Sequence, residues 1–426
     1  MSKAKAAGAY KHWVGVVADQ KDPDELFRAL AALREGPVHA LGEVPAEGLA
    51  AAAESVRRVS QSVGRPVCIL AAQSLHRSAK STTADLLLAV LDGRVDPPLL
   101  YQRAPAFADS AYALFNDLQS VFDLTRRRDG ETWKRRMEEL GSSAWAALPK
   151  ALRDLLDPLS GIDVLISGDS YWAAFPWEAL RYGSGVEDYL GWQRPLARWS
   201  TLTAAATSKL ARSYRTSHPK RIEVICPWDA DPERLLPASR EEAESLGRDL
   251  PSLGFELAPT GQAVGANANL AAMTAAVLSQ PPVLHYTGHG GIVSEEEVLL
   301  LYGKMFGRSE LNELKQRQGI TGPLFANESL VILNSCLTGR EREYGGQRKD
   351  LVGMFLEEGS RAVVASSLPV FDRVGHVLGT ALYALPGACA MADKLQQIRR
   401  VIGRLAGKHN SAQFPTWSML QYHGNP

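Results

Sequence analysis

Two short segments of the sequence end on side chains that could do nucleophilic chemistry together. Residues 283–290 form an apolar, β-branched run that stops at His289, and residues 330–339 form a second run that stops at Cys336. Short apolar runs are typical of buried parallel strands, and open α/β sheets carry their reactive groups at the carboxyl ends of such strands. A histidine and a cysteine at one sheet edge can serve as base and nucleophile, which is the chemistry of a cysteine peptidase.

A cysteine nucleophile needs a neighbour that accepts its proton, because a free thiol has a pKa of about 8.5. His289 is the candidate base for Cys336, and the glycines on either side of it, Gly288 and Gly290, allow a sharp turn. The backbone N–H groups of Gly290 and Cys336 are predicted to form an oxyanion hole. Taken singly, Cys336 would be a buried small hydrophobe and His289 a hydrogen-bonded strand-end residue. The joint pattern favours the dyad.

Other chemistries have less support in the sequence. His285 shares a strand face with His289, but no third ligand is apparent, so we interpret His285 as a packed strand residue and predict no metal site. The sequence contains no GxSxG, HExxH, Walker or GxGxxG motif. No cofactor is therefore predicted.

Composition indicates an ordinary globular protein of two or three units. The chain has 426 residues, is 45% hydrophobic and 22% charged, and has zero formal net charge, which favours neither nucleic acid nor membrane. Its four cysteines are scattered without a CxxC pair, as suits a reducing compartment. The apolar run at residues 13–18 is too short for a signal peptide, and no apolar run reaches 18 residues, so a cytoplasmic location is predicted.

Strand and helix patterns alternate from about residue 161 onward. This alternation predicts an α/β fold with a mostly parallel sheet flanked by helices in three layers. Residues 1–105 are predicted to form a small N-terminal α/β domain, and residues 106–156 are predicted to be helical. Ser239 followed by Glu242 indicates a capping box at a helix start. The apolar cluster at residues 172–177 is interpreted as core, with a docking surface as the alternative.

Several motifs, in the right order, resemble one family. The pattern HFxxHG is matched by residues 285–290, with Tyr286 in place of Phe, and the pattern SACxTG resembles residues 335–339. From about residue 111 to 426 the chain resembles the CHAT proteases, caspase-like cysteine peptidases of the clan that also holds caspases, separases and gingipains. Four further segments follow the family pattern: 175–180 (LPFEAL), 236–242 (LPxAxxE), 368–372 (LWPVDD) and 414–417 (closing aromatic segment).

The resemblance implies His289 as general base and Cys336 as nucleophile of an endopeptidase that cuts a partner protein. It divides residues 106–426 into a pseudo-subunit part, about 106–220, and a catalytic part, about 221–426. It implies regulated proteolysis, such as bacterial defence or cell death, with an activating partner or sensor protein, no membrane, and nucleic acid at most indirectly. The N-terminal domain would then be a docking or sensing unit.

Asp372 is a candidate for substrate binding. Separases use an acid in this neighbourhood to bind a basic P1 side chain, and Asp372 could act in the same way in an S1 pocket. The sequence departs from the family here, because the tryptophan before PVDD is absent and Phe371 replaces the first Asp. The alternative is a turn-capping role for Asp372.

The charged, glycine-containing stretch 339–349 directly follows the nucleophile and is predicted to be a surface loop. As a candidate activation loop it offers four basic self-cleavage sites, and the alternative is an uncleaved loop that orders when a partner binds. The four sites are Arg340, Arg342, Arg348 and Lys349.

Two other functions stay open for the whole chain. One is a catalytically silent CHAT-fold scaffold or partner-binding module, and the other is acyl transfer to an amine.

Overall fold

The structure is a computed structural model of the chain. Within the described part, no helix is long and apolar enough to cross a membrane. The described residues are 18–19, 22–35, 49–75, 85–119, 130–185, 187–199, 221–231, 233, 235–294, 296–325, 329–336, 338, 343–344, 347–348, 350–385, 391–408, 417–418 and 420–424.

One eleven-stranded sheet organises the molecule, in the order β3-β2-β1-β4-β5-β16-β15-β12-β8-β6-β7. Its neighbouring strands are parallel except for the pairs β1–β2, β2–β3 and β15–β16. The strands are β1 (Val67–Ser74), β2 (Leu86–Leu91), β3 (Leu99–Arg103), β4 (Asp163–Gly168), β5 (Leu196–Arg198), β6 (Arg221–Cys226), β7 (Glu256–Val264), β8 (Val283–Thr287), β12 (Leu330–Asn334), β15 (Ala362–Ser366) and β16 (Leu420–Gly424).

Two small sheets stand beside the large one. A three-stranded antiparallel sheet joins β9 (Gly290–Val293), β10 (Glu296–Leu301) and β11 (Lys304–Phe306), and it starts one residue after His289. β9 and β10 pair in antiparallel fashion over four residue pairs. The second small sheet is the two-stranded pair β13 (Glu343–Tyr344) and β14 (Gln347–Arg348).

Helices cover both faces of the large sheet. Along β12, Leu330 and Ile332 belong to one apolar core, whereas Val331 and Leu333 belong to the other, as expected for side chains that alternate across a strand. The predicted three-layer α/β fold is confirmed. The helices are α1 (Pro23–Glu35), α2 (Leu49–Val63), α3 (Pro105–Gln119), α4 (Gly130–Ala147), α5 (Lys150–Leu156), α6 (Ser170–Ala174), α7 (Leu190–Gln193), α8 (Pro237–Asp249), α9 (Leu270–Ser279), α10 (Arg308–Gln318), α11 (Leu351–Glu357), α12 (Asp372–Ala384) and α13 (Met391–Lys408).

The N-terminal strands continue the same sheet as the rest of the chain. β1 pairs in parallel with β4 over six residue pairs, and β2 and β3 extend the sheet outward from β1. Strands β2 and β3 were not predicted from the sequence, although β2 is apolar and fully buried. The division of the chain at about residue 105 stays a prediction.

The aromatic cluster at residues 172–177 is core, as predicted. Trp172, Phe175 and Trp177 have no exposed surface, and all three rings lie beside Phe107 of α3, with centroids 5.5 to 6.1 Å away. Aromatic rings at such separations stabilise each other beyond simple burial. This cluster packs α6 and the segment after it against α3.

Candidate active site

The two strands that carry the candidate dyad are neighbours in the sheet. β8 and β12 pair in parallel, and their last residues, Thr287 and Asn334, lie opposite each other. The backbone N–H of Gly288 donates to the carbonyl of Asn334 across 3.3 Å. His289 and Cys336 each follow two residues after the paired strand ends. The sheet therefore delivers both side chains to the same edge, as predicted.

Glycine at position 290 is required by close contact between the two loops. A Cβ on Gly290 would collide with the carbonyl oxygen of Cys336 and would lie 3.1 Å from the hydroxyl of Ser335. A Cβ on Gly288 would lie 2.8 Å from the hydroxyl of Tyr286. The loops that bear the histidine and the cysteine thus pack backbone against backbone, which only glycine permits.

The thiol of Cys336 contacts the backbone of the segment that follows β15. The N–H of Val370 lies 3.4 Å from Sγ, and Sγ lies 3.6 Å from the carbonyl of the same residue. Burial raises the pKa of the Cys336 thiol, the Val370 N–H acts in the opposite direction, and the charge of Asp372 raises the pKa further. In this arrangement Cys336 is a neutral thiol that needs a base.

A small cavity joins three of the predicted site residues, His289, Cys336 and Asp372. Its volume is about 30 Å³, enough for one or two water molecules and too little for an arginine side chain. His289 and Cys336 are both only partly buried at this cavity. The lining residues are Leu236, Ser239, Gly288, His289, Asn334, Ser335, Cys336, Val370, Phe371, Asp372 and Gly375.

Asp372 lies at this cavity, but its carboxylate is engaged with a neighbouring helix. Oδ2 accepts from the N–H of Ala238 at 2.8 Å, and Oδ1 accepts from the N–H and the hydroxyl of Ser239 at 3.0 and 3.2 Å. These are the first backbone donors of α8, where a carboxylate is favourable. The capping alternative is thus observed, across helices rather than within a turn, and the S1 role stays a prediction.

The capping box predicted from Ser239 and Glu242 was wrong. α8 begins at Pro237, Leu236 occupies the N-cap position, and no side chain of the N-cap residue caps the helix. Proline is well suited to the first helical position because it has no N–H to satisfy. The helix therefore begins at Pro237, before the predicted cap residue Ser239. Glu242 is instead fully buried beneath the site, where it accepts three side-chain hydrogen bonds.

His285 is a packed strand residue, as interpreted from the sequence. It has no exposed surface, and its two ring nitrogens lie 2.8 Å from Glu242 Oε1 and from the hydroxyl of Tyr383. Among the described residues, no group of three His, Cys, Asp or Glu side chains is arranged to hold a metal ion.

The candidate activation loop is described only in part. Arg340, Arg342 and Lys349 lie outside the described residues. The backbone of Arg348 belongs to β14, where it pairs with Glu343 of β13. The self-cleavage hypothesis therefore stays a prediction.

The raised pKa of Cys336 predicts how a His289→Ala variant responds to pH. With no base at position 289, only the thiolate reacts with iodoacetamide, and the thiolate fraction rises about tenfold per pH unit below the thiol pKa. We expect labelling of Cys336 to keep this slope up to pH 9, because burial disfavours the thiolate. Mass spectrometry of the peptide that contains Cys336 measures the rate. A plateau below pH 8 would contradict the raised pKa.

Comparisons with known proteins identify the family of the chain. The family model of the CHAT domain matches residues 137–425 of the chain. No curated protein sequence gives a match.

Among solved structures, the separase of Saccharomyces cerevisiae in complex with securin is similar to this chain. It has 11% sequence identity and a TM-score of 0.57, over 94% of this chain and 34% of the separase chain. A second structure of that complex gives a TM-score of 0.56. This chain thus spans about a third of the length of separase. The likeness shows a caspase-like protease fold.

The Arg-specific cysteine proteinase gingipain R (RgpB) of Porphyromonas gingivalis is also similar. Its sequence identity is 11% and its TM-score 0.40, with 72% of this chain and 75% of the gingipain chain covered.

Proposed function

Because the chain belongs to the CHAT family, we propose that it is a cysteine endopeptidase with Cys336 as nucleophile and His289 as general base. The observation that carries the proposal is the pairing of β8 with β12. It brings the loops of the two residues into backbone contact and leaves both side chains on one cavity. Incubation with a diverse peptide library, followed by mass spectrometry of new termini, tests the proposal.

The reaction follows from a neutral thiol beside a base. As Sγ of Cys336 attacks the scissile carbonyl carbon, His289 takes the thiol proton and an S–C bond forms. The tetrahedral oxyanion accepts hydrogen bonds from the N–H groups of Gly290 and Cys336. The C–N bond breaks, His289 gives its proton to the leaving amine, and a thioester remains. Water, deprotonated by His289, then releases the acid and restores the thiol.

The substrate is a partner protein, and its cleavage is regulated. The backbone of Val370 contacts Cys336, and the cavity is too small for an arginine side chain, so movement of the Val370 segment would widen the site for a peptide. A signal or partner that moves this segment would switch the enzyme on. Regulated proteolysis in bacterial defence or cell death, in a cytoplasmic setting, is the role that fits best.

A catalytically silent scaffold is the second candidate function. The small volume of the cavity favours it, because a site that admits no peptide binds partners without cutting them. The scaffold and the endopeptidase differ in one outcome, since only the endopeptidase generates new peptide termini that depend on Cys336.

Asp372 is proposed to contribute to the S1 pocket in addition to capping α8. It lines the cavity beside Cys336, and its charge would attract a basic P1 side chain. For Asp372→Asn, we expect the preference of kcat/KM for arginine over alanine at P1 to fall about 10- to 100-fold. A hydrogen bond to a charged group contributes about 1.5–3 kcal/mol, which sets this range. Parallel kinetics on matched P1 peptides measure it.

The capping role of Asp372 provides the internal control. Loss of a cap typically costs about 1 kcal/mol of stability, and this cost is independent of the substrate. If Asp372→Asn lowers the unfolding midpoint but leaves the P1 preference unchanged, Asp372 is a capping residue only.

A further inference from the structure

A single buried carboxylate connects the two strands that carry the dyad. Oε2 of Glu242 accepts from the hydroxyl of Thr287 at 2.9 Å and from the side-chain amide of Asn334 at 2.7 Å. These two residues are the last of β8 and β12. Each lies two positions before a member of the dyad. One oxygen atom thus holds both strand ends at the point where the reactive loops leave the sheet.

The second oxygen of this carboxylate is fixed from the other side. Oε1 accepts from Nε2 of His285 at 2.8 Å, and Nδ1 of His285 lies 2.8 Å from the hydroxyl of Tyr383 on α12. The two carboxylate oxygens of Glu242 are acceptors, and they face three donors: a hydroxyl, an amide and an imidazole N–H. The side chain of Glu242 therefore has little freedom to rotate.

Helix α12 is shaped to make room for this network. A Cβ on Gly379 would collide with Oε1 of Glu242, and a Cβ on Gly375 would lie 2.9 Å from Oδ1 of Asn334. The carbonyl of Gly375 also accepts from Nδ2 of Asn334 at 2.8 Å. Residues four apart lie on the same helix face, so both glycines open the face that meets the two strands.

We propose that Glu242 is a positioning residue that sets the separation of His289 and Cys336 by holding Thr287 and Asn334. The inference rests on the proposed function, because it assigns Glu242 a role in that dyad. The competing explanation is a buried polar network that stabilises the core and has no effect on the chemistry. The two explanations differ in whether the loss of one bond changes thiol reactivity.

Thr287→Val tests the proposal, because valine keeps the shape of threonine and removes the donor to Glu242. The readout is the rate of iodoacetamide alkylation at Cys336 at neutral pH, which needs no peptide substrate. We expect Thr287→Val to lower this rate about 10- to 100-fold, since displacement of a reacting group by about 1 Å has an effect of that size. Thr287→Ser, which keeps the hydroxyl, should restore most of the rate.

Two further variants separate positioning from stability. Val283→Ala removes buried surface at the start of β8 without touching the network, so it should lower the unfolding midpoint and leave the alkylation rate unchanged. In the Thr287→Val/His289→Ala double variant, the rate should equal that of His289→Ala alone, because the bond acts only through the histidine.

The outcomes distinguish the two hypotheses. If His289→Ala does not slow alkylation, the dyad of the proposed function fails and the inference fails with it. If His289→Ala slows alkylation but Thr287→Val leaves the rate unchanged or increases it, only the positioning role is overturned. The positioning role is also overturned if Val283→Ala and Thr287→Val lower the alkylation rate equally.

Discussion

Cys336→Ala is expected to abolish peptide cleavage, with a loss on the order of a million-fold in kcat, as when the nucleophile of a hydrolase is removed. The thiol of Cys336 lies on the same cavity as the proposed base, His289, and the loops that carry the two residues are in backbone contact. Alanine keeps the backbone N–H of residue 336, so the proposed oxyanion hole remains and the fold is preserved. Mass spectrometry of a peptide library incubated with each protein measures the effect.

Cys68→Ala is the matched control for this experiment. Cys68 is a buried thiol of β1, and burial raises its pKa to about 12, so it is inert at neutral pH. The control variant should cleave like the wild type. Equal cleavage by wild type and Cys336→Ala would overturn the proposed function. Cleavage by neither protein, together with no labelling of Cys336 by a thiol-reactive probe in cell lysate, would support the scaffold.

The positions of His289 and Cys336 after the ends of two strands could be predicted from the sequence because the determinants are local. Two apolar runs that end at His289 and Cys336 already specify two buried parallel strands with reactive ends. The order of the strands in the sheet depends on contacts between distant parts of the chain. Helices between the strands favour parallel pairing, but they do not specify which strands pair. Their direct pairing is what the structure adds.

The acids of the site were harder to predict because their roles depend on contacts between distant residues. Sequence spacing assigned Glu242 to a capping box with Ser239, but its partners Thr287 and Asn334 lie 45 and 92 positions away. Asp372 likewise caps a helix whose first donors lie 133 and 134 positions earlier. A local signal for such packing did exist. Gly375 and Gly379 are four residues apart in a helix, a spacing that permits close approach of another element.

The two outermost strands at one side of the large sheet, β3 and its neighbour β2, were missed for a different reason. β2 is a leucine-rich run that is buried along its whole length, and such a run of six residues does not distinguish a strand from a helix. β3 has exposed and partly exposed positions and directly follows two prolines, which are rare within strands. Only its pairing with β2 shows that it is a strand.

Glu178→Ala is expected to destabilise the fold by about 3–5 kcal/mol, because it leaves two buried arginines without a counter-charge. Oε2 of Glu178 lies 2.7 Å from Nη2 of Arg198, and Oε1 lies 3.0 Å from Nη2 of Arg399. All three side chains are at most 2% exposed. Burial lowers the pKa of Arg399 to about 10, which shows how unfavourable its charge is in this site even with Glu178 present.

The position of this cluster explains why its loss should affect the whole chain. Arg198 ends β5 and also donates to the carbonyls of Ala173 and Phe175, while Arg399 of α13 donates to the carbonyl of Leu420 in β16. Glu178 thus connects the part of the chain before residue 220 with the last helix and strand.

Urea unfolding of Glu178→Ala measures this loss, and Glu244→Ala is the matched control, because it breaks an exposed ion pair with Arg240 on α8. Exposed pairs of this kind contribute about 0.3–0.5 kcal/mol. Replacement of Glu178, Arg198 and Arg399 together by leucine and methionine should recover much of the stability, since no charge is then left buried. If Glu178→Ala unfolds at the same urea concentration as Glu244→Ala, the cluster is not needed for stability. If the triple variant is instead less stable than Glu178→Ala, the attraction between the charges outweighs their desolvation.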